Sequence, residues 1–585
     1  MRSFALLLML ALCVQGCASH AGASDSAKTT GSPKTRGAPI TFKLIAINDF
    51  HGQLKPPGSG TRISAGTDAK QAPVSLPTGG AAYLATVVAQ LAAQNPLHAV
   101  VAAGDLIGAS PLESALFHDE PAIEAMNVMG LEFSAVGNHE FDEGVTELLR
   151  MQRGGCHAPV AQSTEESCRR GKFEGAHFRY LAANVLDATT GATVFPASAI
   201  KKFDLGRGRT LKVGFVGAVL RGTPDIVVAS GVRDVKFTDE ADAVNAAVPG
   251  LRRQGAQVIV LLIHEGGAST ATAFDDTTCP GFRGAILPIV DRLDPAIGVI
   301  VSGHTHNTYV CQRSGRLLTS AGSQGRFVTD LDVTVDPASG QVTGATARQV
   351  AVVNDLSPNP LPERYATVSS NADVQSIVSF YTAAAAPLTE RVVATITSEI
   401  TRERSPAGES ALGDLIADAQ LAATTHEQDG GAQMAFMNRD GMRADLLARE
   451  GRVTYGEIQA IHPFGNAMIT MTLTGAQIHQ VLEEQWQGGS VLQVSDGFTY
   501  EWSADAPAGA KIDPHGIQLN GVALEPEKRY RVAVNEFLAG GGDGFKVLAA
   551  GTDRSHGVLD AEALEKYLVA HSPASAPRTG RIRRK

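Results

Sequence analysis

The chain has 585 residues, of which 44% are hydrophobic, 19% charged and 5% aromatic. At about 150 residues per domain this length predicts several domains, and the composition excludes both a single small module and global disorder. The 50 Lys and Arg residues against 60 Asp and Glu residues give a formal charge of −10. We therefore expect no nucleic-acid polymer as a partner, and any phosphate must be bound by local chemistry.

Residues 1–17 have the pattern of an export signal. Arg2 precedes an apolar run at residues 4–14, which is too short to span a membrane but long enough for the core of a signal peptide. Residues 14–17 resemble a bacterial lipobox with a lipid anchor at Cys17, whereas Ala-Gly-Ala at residues 21–23 suits ordinary cleavage. We predict an exported bacterial protein that is either periplasmic or a membrane-anchored lipoprotein. Residues 18–40 are expected to form a flexible tether.

Four of the six cysteines lie beyond the signal segment. In an oxidising compartment, pairing of nearest neighbours predicts the disulfides Cys156–Cys168 and Cys279–Cys311. The other two pairings of four cysteines remain open. A thiolate metal site is a further alternative, although no Cys-x-x-Cys spacing supports it.

The rest of the chain divides into two blocks. From residue 41 to residue 356, short β-branched runs alternate with longer Ala- and Leu-rich segments, which predicts α/β layers. Residues 357–391 are expected to be a linker that begins with a Pro-rich segment and contains a helix from Asp373 to Ala386, ended by Pro387. Residues 392–572 predict a smaller second domain, and residues 573–585 a solvated basic tail.

Five predicted strands of the first block end on Asp, His or Asn. The strands are Phe42–Ile47, His98–Ala103, Phe133–Val136, Val258–Ile263 and Ile297–Val301. The motifs that follow them are Asn48-Asp49-Phe50-His51-Gly52, Gly104-Asp105, Gly137-Asn138-His139-Glu140-Phe141-Asp142, His264-Glu265-Gly266-Gly267 and Gly303-His304-Thr305-His306. Because the carboxyl ends of strands line the ligand crevice of an α/β sheet, we expect these motifs to converge.

The side chains in these motifs are typical metal ligands. Asp, His and Asn without sulfur suit Zn, Mn, Fe or Co. Asp49 and His51 are two residues apart, as are His304 and His306, so in an extended segment each pair would face one side and grip one ion. The motifs offer seven candidate ligands, which is the number that two ions sharing one carboxylate would use. Asp105 is the natural choice for the shared carboxylate. A single motif of this kind usually forms a turn or contains a structural histidine. All five motifs at strand ends of one domain favour a metal centre.

In this order the motifs resemble those of the calcineurin-like metallophosphoesterases, in particular their bacterial 5′-nucleotidase and UDP-sugar hydrolase branch. The resemblance implies an N-terminal four-layer α/β/β/α domain, a smaller α+β nucleotide-binding domain, and two divalent ions, with Zn expected and Mn or Co as alternatives. One ion would be held by Asp49, His51, Asp105 and His306, and the other by Asp105, Asn138, His264 and His304. His306 stands where the nucleotidases often have Gln or Asn, so the metal preference stays open.

The resemblance also implies a catalytic pair next to the metals. Two bound ions activate water for attack on phosphorus, so no covalent nucleophile is needed. His139 is adjacent to Asn138 and its side chain is free to face the substrate, while Asp142 could orient its imidazole. In the family this pair stabilises the transition state or assists the leaving group. The alternative is that His139 only caps a helix.

Three loops of the second block resemble those of the 5′-nucleotidase C-terminal domain. They are Asn438-Arg439-Asp440-Gly441-Met442-Arg443, His462-Pro463-Phe464-Gly465-Asn466 and the stretch from Asn535 to Phe545. The resemblance implies base and phosphate contacts from Asn438 and Arg443, a base sandwich between Phe464 and Phe537, a ribose contact from Asp543, and a phosphate contact from Arg404 or, alternatively, Arg402. The alternative reading makes the phenylalanines core residues and the arginines solvated ones.

We therefore predict an exported dimetal phosphohydrolase that removes the 5′-phosphate from nucleotides, with UDP-sugars and nucleoside di- and triphosphates as further candidate substrates. A 2′,3′-cyclic-nucleotide phosphodiesterase is an alternative, disfavoured because those relatives carry Asn at the position of Asp142. A non-catalytic nucleoside-binding surface lipoprotein is another, disfavoured because every expected metal ligand is present.

Overall fold

The structure is a computed structural model that describes residues 38–57, 61–64, 73–158, 165–336, 339–356, 361, 365–447, 450–488 and 490–585. The predicted signal segment, Cys17 and most of the predicted tether lie outside the described residues, as does most of the Pro-rich segment. Within the described ranges, no helix combines the length and the apolar character needed to cross a membrane.

Among the described residues, the first block contains sixteen strands and seven α-helices before the connecting helix. The strands are β1 (Ile40–Ile47), β2 (Thr61–Ser64), β3 (Pro73–Leu76), β4 (His98–Ala103), β5 (Leu131–Ala135), β6 (Arg179–Leu181), β7 (Val185–Asp187), β8 (Ser198–Asp204), β9 (Thr210–Val219), β10 (Val235–Phe237), β11 (Val258–His264), β12 (Ile297–Ser302), β13 (Thr308–Arg313), β14 (Arg316–Ala321), β15 (Phe327–Val335) and β16 (Val342–Ala351). The helices are α1 (Ala81–Ala92), α2 (Leu112–Ala115), α3 (Glu120–Val128), α4 (Gly144–Arg153), α5 (Ala229–Val232), α6 (Glu240–Arg253) and α7 (Ile286–Arg292).

Two six-stranded sheets form the centre of this domain. Their strand orders are β16-β15-β1-β4-β5-β6 and β13-β14-β12-β11-β9-β8. The sheets pack face to face, and Phe133 of β5 stacks on Phe215 of β9 with ring centroids 4.8 Å apart. Helices α1, α3 and α4 cover the first sheet, and α6 and α7 cover the second. The predicted four-layer α/β/β/α domain is confirmed.

The strands that carry the motifs are buried on both faces. All seven residues of β11, Val258–His264, are buried, as expected for a central strand with parallel neighbours. Its long apolar run therefore ends at the sheet edge with a polar residue, His264. All five motif-bearing strands form where the sequence predicts them.

A long helix, α8 (Ala372–Thr389), connects the two blocks. Asn371 caps its first turn by accepting from the backbone N–H groups of Asp373 and Val374. The prediction that Pro387 ends the helix is wrong. Pro387 lies in the last turn, where it removes one hydrogen bond, and the N–H of Glu390 still donates to the carbonyl of Ala386.

The second block forms the smaller α+β domain. Its strands are β17 (Val392–Thr395), β18 (Met434–Met437), β19 (Arg452–Thr454), β20 (Ala467–Thr474), β21 (Gln493–Val494), β22 (Phe498–Trp502), β23 (Gln518–Leu519), β24 (Val522–Ala523), β25 (Arg529–Asn535), β26 (Thr552–Leu559) and β27 (Ile582–Arg584). Its helices are α9 (Ala411–Thr424), α10 (Tyr455–Ile461), α11 (Gly475–Gly488), α12 (Glu536–Ala539), α13 (Lys546–Ala549) and α14 (Asp560–Ala570). The main sheet has the order β21-β18-β25-β20-β26.

The end of the chain is ordered rather than a solvated tail. Strand β27 pairs in parallel with β22, and Ile582 is buried in the core of the second domain. The guanidinium of Arg581 donates to both carboxylate oxygens of Asp418 at 2.6 and 2.8 Å. The basic composition predicts a solvated tail, but Ala574 and Ile582 are buried in the second domain.

Both predicted disulfides are present. Cys156 and Cys168 are joined with their Cα atoms 5.4 Å apart, and Cys279 and Cys311 with theirs 5.3 Å apart. The other pairings and a thiolate metal site at these four residues are thereby excluded.

Candidate metal centre and substrate cleft

The five motif-bearing strands belong to two sheets. Strands β1, β4 and β5 are parallel neighbours in the first sheet, and β11 and β12 are parallel neighbours in the second. Their carboxyl ends meet at one edge of the two packed sheets. The convergence expected from the sequence therefore occurs between two sheets rather than along one.

One group of ligand atoms surrounds Asp49. The Nε2 atom of His306 is 3.3 Å from Asp49 Oδ1 and 3.0 Å from the Nε2 atom of His51. The same atom of His51 is 3.8 Å from Asp105 Oδ2. Ligand atoms around a single ion with bonds of ~2.0–2.2 Å lie about 3 to 4.4 Å apart, so this group has the spacing of a metal site.

A second group surrounds the same oxygen of Asp105. The Nε2 atom of His264 is 3.0 Å from Asp105 Oδ2 and 3.1 Å from Asn138 Oδ1. The Nδ1 atom of His304 is also 3.1 Å from Asn138 Oδ1. Because Asp105 Oδ2 belongs to both groups, the seven predicted ligand residues form one continuous cluster with a shared carboxylate.

The charges of the second group fit a cation. Burial lowers the pKa of His264, but the carboxylate of Asp105 more than compensates and the pKa is raised to about 10. Burial raises the pKa of Asp105, whereas the charge on His264 holds it well below its usual range. A proton on His264 thus balances a buried carboxylate, and a divalent cation would replace that proton.

The backbone of the ligands differs from the extended form expected. Asp49, His51, Asp105, His304 and His306 have φ values of 50°, 50°, 51°, 72° and 56°. Left-handed φ is uncommon for residues with a Cβ atom and concentrates at functional sites. The prediction that each i, i+2 pair grips one ion is wrong for the second pair, because His306 lies with Asp49 and His304 lies with Asn138.

Sequence reasoning missed one positioning residue, Glu140. Its buried carboxylate accepts from the backbone N–H groups of Asp105 and Leu106, each at 2.8 Å, and from that of Gly137. It thereby joins the loop of Asp105 to the loop of Asn138. The signal was available, since Glu140 lies inside one of the five motifs.

The predicted catalytic pair is formed beside the cluster. His139 Nδ1 and Asp142 Oδ2 are 2.8 Å apart, and the His139 ring meets the His51 ring edge to face. Burial lowers the pKa of His139, but the carboxylates of Asp142 and Asp105 outweigh it and the pKa is raised. The Phe464 ring of the second domain stacks on His139 with centroids 5.7 Å apart.

A cleft of about 910 Å³ lies between the two domains and is lined by His51, His306, Arg402 and Arg443. The guanidinium of Arg443 lies 5.9 Å from the centre of the Phe464 ring. Burial lowers the pKa of Arg443, and the carboxylates of Asp105, Asp440 and Asp142 act against that shift. An arginine of the second domain therefore lines the same cleft as His51 and His306 of the first.

The two candidate phosphate arginines have different surroundings. Arg402 lines the cleft, and its Nε and Nη1 atoms donate to Asp445 Oδ1 at 3.0 Å and to the carbonyl of Met442 at 2.9 Å. Arg404 is exposed. Spacing alone could not separate two arginines in one loop.

The remaining substrate candidates form a second set in the C-terminal domain. Asn438 Nδ2 donates to Asp543 Oδ2 at 2.8 Å, and Asn535 donates to Asn438 Oδ1 at 2.9 Å. Burial raises the pKa of Asp543 to about 6. The half-buried ring of Phe537 lies against Gly542, where a Cβ atom would come within 2.5 Å of the ring.

A carboxylate-bridged cluster at the ends of two facing sheets, opposite a second domain, defines the metallophosphoesterase class. The calcineurin-like phosphoesterase family matches residues 42–308, and the 5′-nucleotidase C-terminal domain matches residues 392–550. The chain belongs to the calcineurin-like phosphoesterases that carry a 5′-nucleotidase C-terminal domain. This family implies a dinuclear divalent-metal site, and the cluster of Asp, His and Asn side chains fits one.

Relatives span most of this chain. Endonuclease YhcR of Bacillus subtilis is 28% identical over 96% of this chain and 42% of its own length. Cell wall protein Lmo0130 of Listeria monocytogenes is 29% identical over 86% of this chain and 64% of its own length. The crystal structure of a 5′-nucleotidase precursor from Thermus thermophilus superposes with a TM-score of 0.71 and 26% identity, covering 93% of this chain and 99% of that one. The chain thus spans less than two thirds of the length of each of these two relatives.

Proposed function

We propose that this protein is an exported phosphohydrolase that uses two divalent metal ions to remove the 5′-phosphate from nucleotides. The observation that carries the proposal is the shared oxygen of Asp105, which lies 3.0 Å from His264 and 3.8 Å from His51 in two adjoining ligand groups. The likeness to the T. thermophilus 5′-nucleotidase precursor supports the choice of substrate.

We assign one metal ion to each of the two groups of ligand atoms. Asp49, His51, Asp105 and His306 would hold one ion, and Asp105, Asn138, His264 and His304 the other. Bound there, two ions would lower the pKa of water and neutralise the phosphoryl oxygens. Nitrogen and oxygen donors without sulfur favour Zn, with Mn or Co as alternatives.

The side chains around the cluster have separate tasks in this proposal. Asp142 accepts from His139 Nδ1, which orients the imidazole so that its other nitrogen can donate a proton to the leaving ribose oxygen. Arg443 and Arg402 would bind phosphate oxygens with their forked donors. Phe464 and Phe537 would stack on the base, and Asn438 and Asp543 would contact the base and the ribose.

A phosphate-release assay tests this proposal directly. AMP, UMP, UDP-glucose, ATP and 2′,3′-cyclic AMP would each be assayed with Zn, Mn or Co and after chelation. We expect release from AMP and UMP that chelation abolishes and metal restores. Turnover of 2′,3′-cyclic AMP alone would identify a cyclic phosphodiesterase. Binding of nucleoside without any turnover would identify a binding lipoprotein.

The two neighbouring arginines provide a matched pair of variants. Arg402→Ala should raise KM for AMP about 10- to 100-fold, because a hydrogen bond to a charged group contributes about 1.5–3 kcal/mol. Arg404→Ala should leave KM within a factor of about two, since that side chain is exposed. Steady-state kinetics on both variants checks the assignment. The reverse result would assign the phosphate contact to Arg404.

Phe464 can be tested by comparing substrates with and without a base. Loss of a stacking contact worth about 1–3 kcal/mol in Phe464→Ala should lower kcat/KM for AMP at least about 5-fold relative to ribose 5-phosphate. The ratio matters because Phe464 also touches His139, and a disturbed histidine would slow both substrates equally. An unchanged ratio would remove Phe464 from the base site.

A further inference from the structure

A second cluster of metal-ligating side chains lies outside the main centre, on the helical layer that covers the first sheet. It consists of His118, Glu143 and His157, whose ligand atoms all lie within 4.8 Å of one another. His118 precedes α3, Glu143 precedes α4, and His157 follows α4. The proposed reaction uses none of these three residues.

His157 is prepared as a metal ligand in the same way as two histidines of the main centre. Its Nδ1 atom is 2.8 Å from the carbonyl oxygen of Ala158, which can only accept, so Nδ1 carries the proton and Nε2 a free lone pair. The Nδ1 atoms of His51 and His264 likewise donate to the carbonyls of Gly108 and Ala103. Such a backbone partner typically fixes the tautomer of a ligating histidine.

The backbone around His157 is also restrained. The preceding residue, Cys156, forms the disulfide with Cys168, and the N–H of His157 donates to Ser167 Oγ at 2.7 Å. The imidazole is therefore held beside His118, and the two rings stack with centroids 4.2 Å apart and planes inclined by 22°. Because the lone pair of an imidazole lies in the ring plane, a shared ion requires the more exposed His157 ring to rotate about its side-chain torsions.

His118 and Glu143 supply the other two donors. His118 is buried, with a side-chain exposure of 5%, and its Nδ1 atom is 2.9 Å from Glu143 Oε2. His118 has a φ of 51°, the left-handed value shared by five residues of the main centre. A cation at this point would replace the proton that His118 shares with the carboxylate, as at His264 and Asp105.

The neighbouring carboxylate, Glu147, is engaged elsewhere. Both of its oxygens accept from Arg150 Nε at 2.9 Å, and His157 Nε2 is 4.0 Å from the nearer one. It contributes negative charge to the cluster without being a ligand. Two imidazoles and one carboxylate are a donor set for a first-row transition ion rather than for Ca or Mg.

We propose that His118, Glu143 and His157 form a third metal site that binds a divalent transition ion of the zinc class. Three protein ligands would leave the fourth position of a tetrahedral ion to water. The ion would link the start of α3 and the start of α4 to the segment that follows α4. The ordinary alternative is a His118–Glu143 ion pair on which His157 merely stacks.

The number of bound metal ions decides between a third metal site and a simple His118–Glu143 ion pair. Zn²⁺ would be added to the full-length protein, unbound ion removed by gel filtration, and the metal counted by mass spectrometry. His157→Ala should contain one zinc ion fewer than the wild type, with unchanged phosphate release. The exposed His177 provides the matched control, and His177→Ala should retain the wild-type content. The difference of one ion does not depend on what the main centre holds or catalyses.

A second variant and a spectroscopic readout complete the test. Glu143→Gln keeps the shape of the side chain and should also lose one ion. With Co²⁺ in place of Zn²⁺, His157→Ala should lose part of the visible absorption of the wild type. Equal zinc content in the wild type, His157→Ala and Glu143→Gln would overturn the proposal and leave the ion pair.

Discussion

Replacing Asp105 with Asn should lower kcat for AMP at least about 1,000-fold. The side chain is buried, and its Oδ2 atom is common to both ligand groups, so loss of its charge weakens both sites at once. Metal activation of water and phosphate is worth several kcal/mol, and each 1.36 kcal/mol is a factor of ten in rate. Phosphate release at saturating metal, with metal content measured in parallel, checks the expectation.

The control for this variant is Asp234→Asn, because Asp234 is on the surface with 84% of its side chain exposed. It should keep wild-type activity and metal content. Circular dichroism should show that Asp105→Asn is folded. A folded Asp105→Asn protein with more than a tenth of wild-type activity would refute the shared-carboxylate arrangement.

Replacing His139 with Asn should lower kcat about 100- to 10,000-fold, the range typical of a positioned general acid. In contrast to Asp105→Asn, the metal content should not change, since His139 belongs to the catalytic pair and not to the proposed ligand sets. The imidazole is held by Asp142 at 2.8 Å and by stacking on Phe464, so the missing function is proton donation at a fixed point. Steady-state kinetics and metal analysis of the same sample separate the two effects.

Two further variants help to interpret the effect of His139→Asn. Asp142→Asn should reduce kcat by about 10- to 100-fold, because it loses only the orientation of the imidazole. His177→Asn changes an exposed histidine of the same domain and should behave as wild type. Loss of a metal ion from His139→Asn would move this residue into the ligand set.

The sequence alone was sufficient to predict the buried strands, the family and the disulfides of this protein. Apolar runs such as Val258–Ile263 predict buried strands, and the polar residues that follow the five runs lie at or just beyond the strand ends. The order and residue types of the five motifs indicated the family, and pairing of neighbouring cysteines predicted both disulfides, with the other pairings left open. These features depend on local chemistry that is written along the chain.

Only the tertiary structure decided how distant segments meet. It divided the motif strands between two sheets and placed Arg402 rather than Arg404 on the cleft. It also docked the last strand on β22 and brought His157 beside His118. Such outcomes depend on packing between residues far apart in sequence, and neither local periodicity nor residue spacing contains that information.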